Sequence, residues 1–120
     1  MNEIRFTLSG SIRSKKNSKQ VIMAGKRPMI IPSTAHKKWE RRAREELWLY
    51  AKMPPLICPV HIEALFFCKG VLPDLSGAME SLGDCLEGII YRNDKQIISW
   101  DGSRVYHDKV NPRVEVVVRW

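Results

Sequence analysis

Acidic side chains are concentrated in one stretch of this chain, between residues 72 and 101. The stretch holds six carboxylates and two cations, which are Asp74, Glu80, Asp84, Glu87, Asp94 and Asp101 with Arg92 and Lys95. Mg²⁺ prefers oxygen ligands, and it usually takes one or two carboxylates together with water and substrate phosphate. A metal ion bound there could polarise a phosphodiester and activate a water molecule to attack it. One interpretation of the stretch is therefore a divalent metal site for phosphate chemistry.

The same residues also have ordinary structural interpretations, which their spacing alone favours slightly. Asp74 stands just before a predicted helix, where it could act as the cap, and Asp94 lies in a predicted turn. Glu80 and Asp84 are four residues apart, which places both on one face of a helix but is also common on solvated faces. Helical spacing of carboxylates is by itself a weak signal for a metal ion.

Basic side chains are concentrated at the other end of the chain. Residues 1–52 hold 13 Lys and Arg against 4 Glu, a balance of +9, whereas residues 53–120 hold 7 against 9 acids, a balance of −2. Lys and Arg bind nucleic acid by neutralising phosphates and releasing counterions. Basic loops and solvated helix faces also occur in proteins that bind no polyanion, so the pattern favours nucleic acid only modestly. The candidate phosphate contacts are Lys15, Lys16, Lys19, Lys37, Lys38 and Arg41.

Length and composition predict one domain over residues 1–120. The chain has 120 residues, of which 44% are apolar and 28% charged, enough for a core that needs no disulfide or structural metal. No stretch approaches the ~20 consecutive apolar residues of a membrane span, and the first residues have no secretory signal pattern. The cysteines, Cys58, Cys68 and Cys85, lack the short spacing of a zinc site and fit buried thiols in a reducing compartment. We therefore expect a cytoplasmic protein with no membrane partner.

Alternating apolar residues predict a mixed β-sheet. Strands are expected at residues 3–9, 59–69, 89–91, 96–100 and 114–120, with a short hairpin at 21–23 and 29–31. The basic segment 10–20 has no apolar periodicity and is predicted to be a loop. Together with the helices below, these strands predict a single α+β domain.

Two segments have the apolar periodicity of helices. The first is predicted to begin at a cap, Ser33 or Thr34, and to extend to about Tyr50. Its apolar stripe consists of Trp39, Ala43, Leu47 and Tyr50. The second has an apolar face of Leu75, Met79, Leu82 and Leu86, with Gly88 placed to end it. A polar stripe of Ser76, Glu80 and Asp84 is therefore expected about opposite these leucines.

The acidic stretch contains P-D-L-S at residues 73–76, D-C-L at 84–86 and N-D-K-Q-I at 93–97. These segments resemble the core of the RusA family of Holliday junction resolvases, bacterial and prophage proteins that carry P-D-L-D-N-x-x-K, then D-A-L, then D-D-x-Q-[IV]. A weaker likeness extends to K-K-N-S at 15–18 and to N-P-R-V-E-V at 111–116. The resemblance covers most of the chain, although its diagnostic part is confined to residues 73–97.

In that family the two aspartates of D-L-D and the last aspartate before x-Q hold the metal, and the lysine assists catalysis. The resemblance therefore implies that Asp74 and Asp94 bind metal. This chain departs from the motif, because Ser76 stands at the second aspartate, Gly77 at the asparagine and Glu80 at the lysine. One metal ligand and one cation are missing, and one carboxylate is added.

Two hypotheses account for this departure. Under the first, Glu80 replaces the missing aspartate as a metal ligand, with Asp84 beside it. Under the second, the site has decayed and only DNA binding survives. We favour the first, because two acids held close together on one helix face are well explained by a metal ion that compensates their charge. Arg104 is the candidate to replace the missing lysine and is counted among the DNA contacts.

The resemblance implies a Mg²⁺-dependent endodeoxyribonuclease, with Mn²⁺ as a substitute ion, that resolves Holliday junctions or other branched DNA in recombination and repair. Junction resolution needs two symmetric nicks, which a homodimer supplies. The expected catalytic residues are Asp74, Glu80, Asp84 and Asp94, and the expected metal ligands among them are Asp74, Glu80 and Asp94. The alternatives are a catalytically inactive branched-DNA-binding protein of the same fold and a structural phage protein with a basic surface.

Overall fold

The computed structural model describes residues 1–14, 19–25, 27–32 and 34–120. Lys15 and Lys16, two of the expected phosphate contacts, lie outside the described residues. Ser33, one of the two expected helix caps, also lies outside them. The structure therefore bears on the remaining predicted residues.

The main sheet is built from strands whose apolar residues alternate. β1 (Glu3–Ser9) pairs antiparallel with β7 (Arg113–Arg119), which in turn pairs antiparallel with β4 (Val60–Cys68). The other side of β4 pairs in parallel with β5 (Ile97–Ser99) and, further along, with β6 (Arg104–His107). β4 and β7 bury every second residue, so the sheet has one apolar face and one partly exposed face.

Two further strands form a separate hairpin. β2 (Lys19–Ala24) pairs antiparallel with β3 (Arg27–Pro32). Gly25 lies in the connection with φ +66°, a conformation that glycine adopts at little cost. The hairpin predicted at residues 21–23 and 29–31 is confirmed, and both of its strands are longer than predicted.

Two helices contribute to the core on the apolar face of the sheet. α1 (Thr34–Tyr50) buries Trp39, Ala43 and Leu47 of its predicted stripe, whereas Tyr50 is 38% exposed at the helix end. α2 (Leu75–Leu86) buries Leu82 and Leu86. These residues form one hydrophobic cluster with the inward side chains of β1, β4 and β7. The predicted α+β class, with a mixed sheet and two main helices, is confirmed.

None of the helices in the described part of the chain combines the length and the apolar composition that a bilayer crossing requires.

The predicted end of α2 is confirmed, because Gly88 has φ +84° two residues after Leu86. That left-handed conformation turns the chain back toward the helix, and the N–H of Ile90 donates to the carbonyl of Leu86 at 2.9 Å.

The strand predicted at residues 89–91 is wrong. Ile89, Ile90 and Tyr91 are buried as predicted, but they lie in a turn that contacts Leu56 through isolated backbone hydrogen bonds. Three consecutive apolar residues need burial, and a turn packed on the core buries them without the continuous hydrogen-bond ladder of a β-strand. Conversely, β6 was not predicted, because its short polar sequence becomes a strand only through pairing with β4.

Gly77 marks a close approach between α2 and the N-terminal segment. A methyl group at residue 77 would overlap the hydroxyl oxygen of buried Ser14 and lie 3.0 Å from its Cβ. We expect Gly77→Ala to lower the free energy of unfolding by roughly 1–2 kcal/mol, because overpacking outweighs the better helix propensity of alanine. Denaturant unfolding of the parent and the variant measures the loss.

The matched control is Gly83→Ala on the same helix. A methyl group there would meet Ile97, Trp100 and Tyr91 at 3.5–3.7 Å, which is ordinary van der Waals contact. Helix propensity then favours alanine by up to about 1 kcal/mol. Equal stability changes at the two glycines would contradict the steric explanation for Gly77.

Candidate active site

One face of α2 presents polar side chains to an open groove. Ser76, Glu80 and Asp84 follow one another at four-residue intervals, as the sequence predicts, and all three line this groove. Asp94 joins them from the segment after α2. The groove has a volume of about 310 Å³, and the side chains of Met79, Ile97 and Trp100 complete its walls. Three of the four predicted catalytic acids therefore share one concave surface.

Three carboxylates approach one another in this region, those of Asp84, Glu87 and Asp94. One oxygen of each lies within 4.8 Å of the others. Asp84 and Glu87 are half-buried, and Asp94 is exposed. Octahedral Mg²⁺ holds its ligands at 2.0–2.1 Å, so neighbouring ligand oxygens are about 3 Å apart and opposite ones about 4 Å apart. The three carboxylates offer the oxygen ligands that a hard divalent cation prefers, at a mutual distance somewhat larger than in a bound Mg²⁺ site.

The turn that carries Asp94 is fixed by hydrogen bonds on both sides. Asp94 begins a short 3₁₀ turn capped by Asn93, whose side chain accepts from the N–H of Lys95 at 2.9 Å. The side-chain amide of Gln96 donates to the backbone carbonyls of Leu56 and Cys58 at 2.8 and 2.9 Å. These bonds join residues 94–96 to the segment before β4, and so they determine where the Asp94 carboxylate can lie.

Tyr91 connects this turn to α2 from inside the core. Its ring is fully buried, and its hydroxyl donates a hydrogen bond to the carbonyl of Gly83, the residue before Asp84. Burial, with the nearby carboxylates, raises the pKa of Tyr91 well above its usual value. The phenol therefore stays protonated and keeps its donor role across the whole working pH range. This contact holds the C-terminal part of α2 against the segment that leads to Asp94.

Arg44 brings α1 to the same place. Its guanidinium donates to the backbone carbonyl of Asp84 at 3.1 Å and lies 3.4 Å from the carboxylate of Glu40. The cysteine that follows Asp84 is not a nucleophile, since burial raises the pKa of the Cys85 thiol to about 12. The acidic cluster is thus supported by α1, α2 and the turn after Tyr91.

The structure does not bring Asp74 into the acidic cluster. Asp74 is the N-cap residue of α2, and Asp84 lies ten positions further along, which corresponds to a helix rise of about 15 Å. Glu80 lies between the two ends, exposed and one turn before Asp84. Asp74 is not among the three carboxylates that lie within 4.8 Å of one another, and its role stays a prediction.

Sequence reasoning did not assign a role to Glu87. It belongs to the acidic stretch but falls outside the four-residue repeat of Ser76, Glu80 and Asp84, because it is the C-cap residue of α2. Its distance of three residues from Asp84 is the signal that could have identified it, since residues three apart are neighbours on a helix surface.

The predicted DNA contacts lie in different parts of the surface. Lys37, Lys38 and Arg41 are exposed on α1. Arg104 pairs with Leu65 of β4, and the alternation of that strand places both on the sheet face that carries no helix. Arg104 therefore lies on the opposite sheet face from the buried residues of β4, and its replacing the missing lysine stays a prediction.

A second basic group was not predicted. Lys69, His107 and Lys109 line one depression of about 360 Å³ at the C-terminal ends of β4 and β6. Lys69 is far in sequence from His107 and Lys109, and all three lie in a part of the chain whose charge balance is negative, so no local pattern indicates them. Only the parallel pairing of β4 with β6 brings them together.

Comparison with known protein families identifies the family of the chain. A family model described as endodeoxyribonuclease RusA matches residues 10–119 of the chain. The match includes α2, the turn at residues 94–96 and the closing strand β7. No single curated protein matches the sequence. Since the match covers nearly the whole chain, including residues 84–94, this protein belongs to the RusA endodeoxyribonuclease family.

Proposed function

We propose that this protein is a Mg²⁺-dependent endonuclease that cuts four-way DNA junctions, with Asp84, Glu87 and Asp94 as its metal ligands. The observation that carries the proposal is the approach of these three carboxylates to within 4.8 Å, in a chain of net charge +7 that belongs to an endodeoxyribonuclease family. A cluster of acids in a strongly basic protein is well explained by a cation that they bind next to a phosphate.

Each part of the groove has a role in this proposal. A divalent metal held by the cluster would supply Lewis-acid polarisation of the phosphodiester and a more acidic water. Glu80, one turn before Asp84 in the same groove, is our candidate for a supplementary ligand. The guanidinium of Arg44, bonded to the Asp84 carbonyl, maintains the position of the Asp84 backbone. Under this proposal the metal lies toward the C-terminal end of α2, away from Asp74.

The proposal extends to the substrate and the assembly. Four-way junctions have two-fold symmetry, and two symmetric nicks require two active sites related in the same way, so we infer a homodimer. Candidate contacts for the phosphates of the junction arms are the exposed Lys and Arg side chains of α1. A second candidate is the basic depression of Lys69, His107 and Lys109.

A second candidate function is junction binding without cleavage. The observation that favours it is the loss of the second family aspartate at Ser76 together with the replacement of the family lysine by Glu80. In this case the acids of the groove would no longer serve catalysis, and the protein would bind junction DNA through its basic surfaces alone.

One assay tests the proposal against this alternative. A labelled four-way junction and a linear duplex of the same sequence are incubated with the protein and Mg²⁺, Mn²⁺ or EDTA. We expect paired nicks in the junction with Mg²⁺, similar nicks with Mn²⁺, and none with EDTA or on the duplex. Tight junction binding without nicking in either metal would contradict the nuclease and support the binding protein.

The basic face of α1 makes a separate prediction about DNA affinity. Changing Lys37, Lys38 and Arg41 together to Gln should make the negative slope of log affinity against log salt shallower. The expected change is about 0.9 for each phosphate that is no longer neutralised, or about 2.7 in total. Junction binding measured across a salt series gives the slope. The control is Lys52→Gln, an exposed cation beyond the end of α1. An unchanged slope in the triple variant would place the DNA on another surface.

A further inference from the structure

Three side chains form a stacked row across the sheet face that carries no helix. Phe67 of β4 pairs with Arg113 of β7 on one side and with Tyr106 of β6 on the other. The Tyr106 ring is stacked on the Phe67 ring, with 5.1 Å between centroids and 18° between planes. The Arg113 guanidinium lies 3.9 Å from the centre of the Phe67 ring. Since β7 and β6 flank β4 on opposite sides, Arg113 and Tyr106 cover opposite faces of Phe67, and the row ends at Tyr106.

Tyr106 has one ring face that the row leaves uncovered. In the described part of the chain, β6 is paired with β4 alone, so no further strand continues the row. Tyr106 is 39% exposed, although Phe67 covers one face of its ring. The second ring face is therefore directed away from Phe67, toward the open side of β6. Another flat ring can stack on such a face.

Ion pairs and strand pairing hold the stacked row in place. The Arg113 guanidinium lies 2.9 Å from the carboxylate of Asp108 and 2.6 Å from that of Glu115. β6 is paired with β4 over its whole length, which fixes the backbone of Tyr106. A ring that is already held in position loses little conformational freedom when a ligand stacks on it, and this favours binding.

Basic side chains flank Tyr106 on both sides along the chain. Arg104 is exposed two residues before it, and the alternation of β6 places both side chains on the same sheet face. Beyond Tyr106, the basic depression of Lys69, His107 and Lys109 lies at the C-terminal ends of β4 and β6. A negatively charged strand that follows β6 would therefore meet a cation, an aromatic ring and then a basic depression.

This combination suits a nucleotide whose base is not paired. Proteins bind single strands by stacking bases on aromatic side chains while neighbouring cations bind the phosphates. A base inside a duplex has both flat faces stacked on its neighbours, so a protein ring can reach a flat face only when the base leaves the stack. The Tyr106 ring would thus distinguish an unpaired nucleotide from a duplex, whereas the cations alone would not.

We propose that Tyr106 stacks on the base of an unpaired DNA nucleotide, with Arg104 and the basic depression binding the phosphates on either side of it. DNA is the expected nucleic acid because the chain belongs to an endodeoxyribonuclease family. The proposal rests on the proposed function for its branched substrate, and it adds a site for a strand that opens at the branch point. Stacking requires no metal, so this site can be tested apart from cleavage.

Single-strand binding in EDTA tests the stacking. The probe is a short labelled oligothymidine, compared with a blunt duplex. We expect Tyr106→Leu protein to bind the single strand about 5- to 150-fold more weakly than the parent, the range for the loss of one stacked base. Tyr106→Phe keeps the ring and should bind within about twofold of the parent. Duplex affinity should be equal in all three proteins, which also shows that the variants are folded.

The matched control is Tyr50→Leu. Tyr50 is 38% exposed, and its ring contacts Phe6 with 5.7 Å between centroids, so its exposure and its single aromatic neighbour are similar to those of Tyr106. This variant should bind the single strand as the parent does. Equal single-strand affinity in the parent and Tyr106→Leu would overturn the proposal. An equal loss on the single strand and the duplex would also overturn it.

Photocross-linking locates the stacked base. An oligothymidine with 5-iodouracil at its centre is irradiated with the parent, and the modified tryptic peptide is identified by mass spectrometry. Trypsin cleaves after Arg104 and after Lys109, and Tyr106 is the only Phe, Tyr or Trp between them. We expect the adduct on Tyr106. Adducts confined to other aromatic residues would overturn the proposal.

A salt series tests the phosphate contacts. Changing Arg104 and Lys109 together to Gln should make the negative slope of log single-strand affinity against log salt shallower by about 0.7 for each contact, or about 1.4 in total. An unchanged slope would overturn the proposed phosphate positions. All of these measurements omit metal and cleavage. A protein that binds the single strand through Tyr106 but never nicks junctions would therefore support this site and contradict only the proposed nuclease.

Discussion

Asp94→Asn protein is expected to cut four-way junctions at least about 100-fold more slowly than the parent while binding them equally well. Asn keeps the shape of the side chain and its hydrogen bonding, but it is a poor ligand for a hard dication, and a metal contributes several kcal/mol to the transition state. Loss of the negative charge also removes a repulsion toward DNA phosphates, so the affinity for DNA should be unchanged or higher. Single-turnover nicking and a binding titration in Ca²⁺ separate the two effects.

The control for this variant is Asp101→Asn. Asp101 belongs to the same acidic stretch and is exposed, but it lies outside the group of three carboxylates. Its removal changes the net charge equally and should leave cleavage within about twofold of the parent, as is usual for a surface substitution. Comparable losses at both positions would show that the net charge of the region, rather than a metal ligand, was being measured.

Three further substitutions locate the metal along α2. Glu87→Gln should reduce nicking strongly if the ion lies within that group of three carboxylates, whereas Asp74→Asn should then have little effect. The family resemblance leads to the opposite expectation for Asp74. Glu80→Gln distinguishes a supplementary ligand, which would raise the Mg²⁺ concentration needed for half-maximal rate, from a bystander on the groove wall.

Phe66→Ala is expected to lower the free energy of unfolding by about 3–5 kcal/mol, the cost of removing a fully buried aromatic ring. Phe66 is 0% exposed in β4, between β7 and β6, and belongs to the cluster that joins the sheet to both helices. A loss of that size is a large part of the stability of a domain of this length. Denaturant unfolding measures it.

The neighbouring Phe67 is a matched control on the same strand. It lies on the other face of the sheet, stacked on Tyr106 at 5.1 Å, with the guanidinium of Arg113 3.9 Å from the ring centre. Phe67→Ala removes the same number of atoms but leaves no enclosed cavity, so it should cost clearly less. Equal losses at the two residues would mean that the helix-free face is as well covered as the core.

Local pattern was enough to predict most of the secondary structure. β1, β4 and β7 were predictable because one face of each is buried, which imposes alternation on the residues. The stripe of Trp39, Ala43 and Leu47 identified α1 for the same reason, at helical spacing. β6 and the turn at residues 89–91 could not be predicted, because each depends on a partner elsewhere in the chain.

The candidate site divides in the same way. The residues alone predicted that Glu80 and Asp84 share one face of α2 and that Asp94 belongs to the site, since helical spacing and the family motif are both local properties. Which of these acids meet depends on the folded chain. Tyr91 and Gln96 bring Asp94 to the C-terminal end of α2, next to Asp84 and Glu87, at the end of the helix opposite to its N-cap. A ligand set requires side chains a few ångströms apart, and that separation is set by packing between segments, which spacing along one segment does not contain.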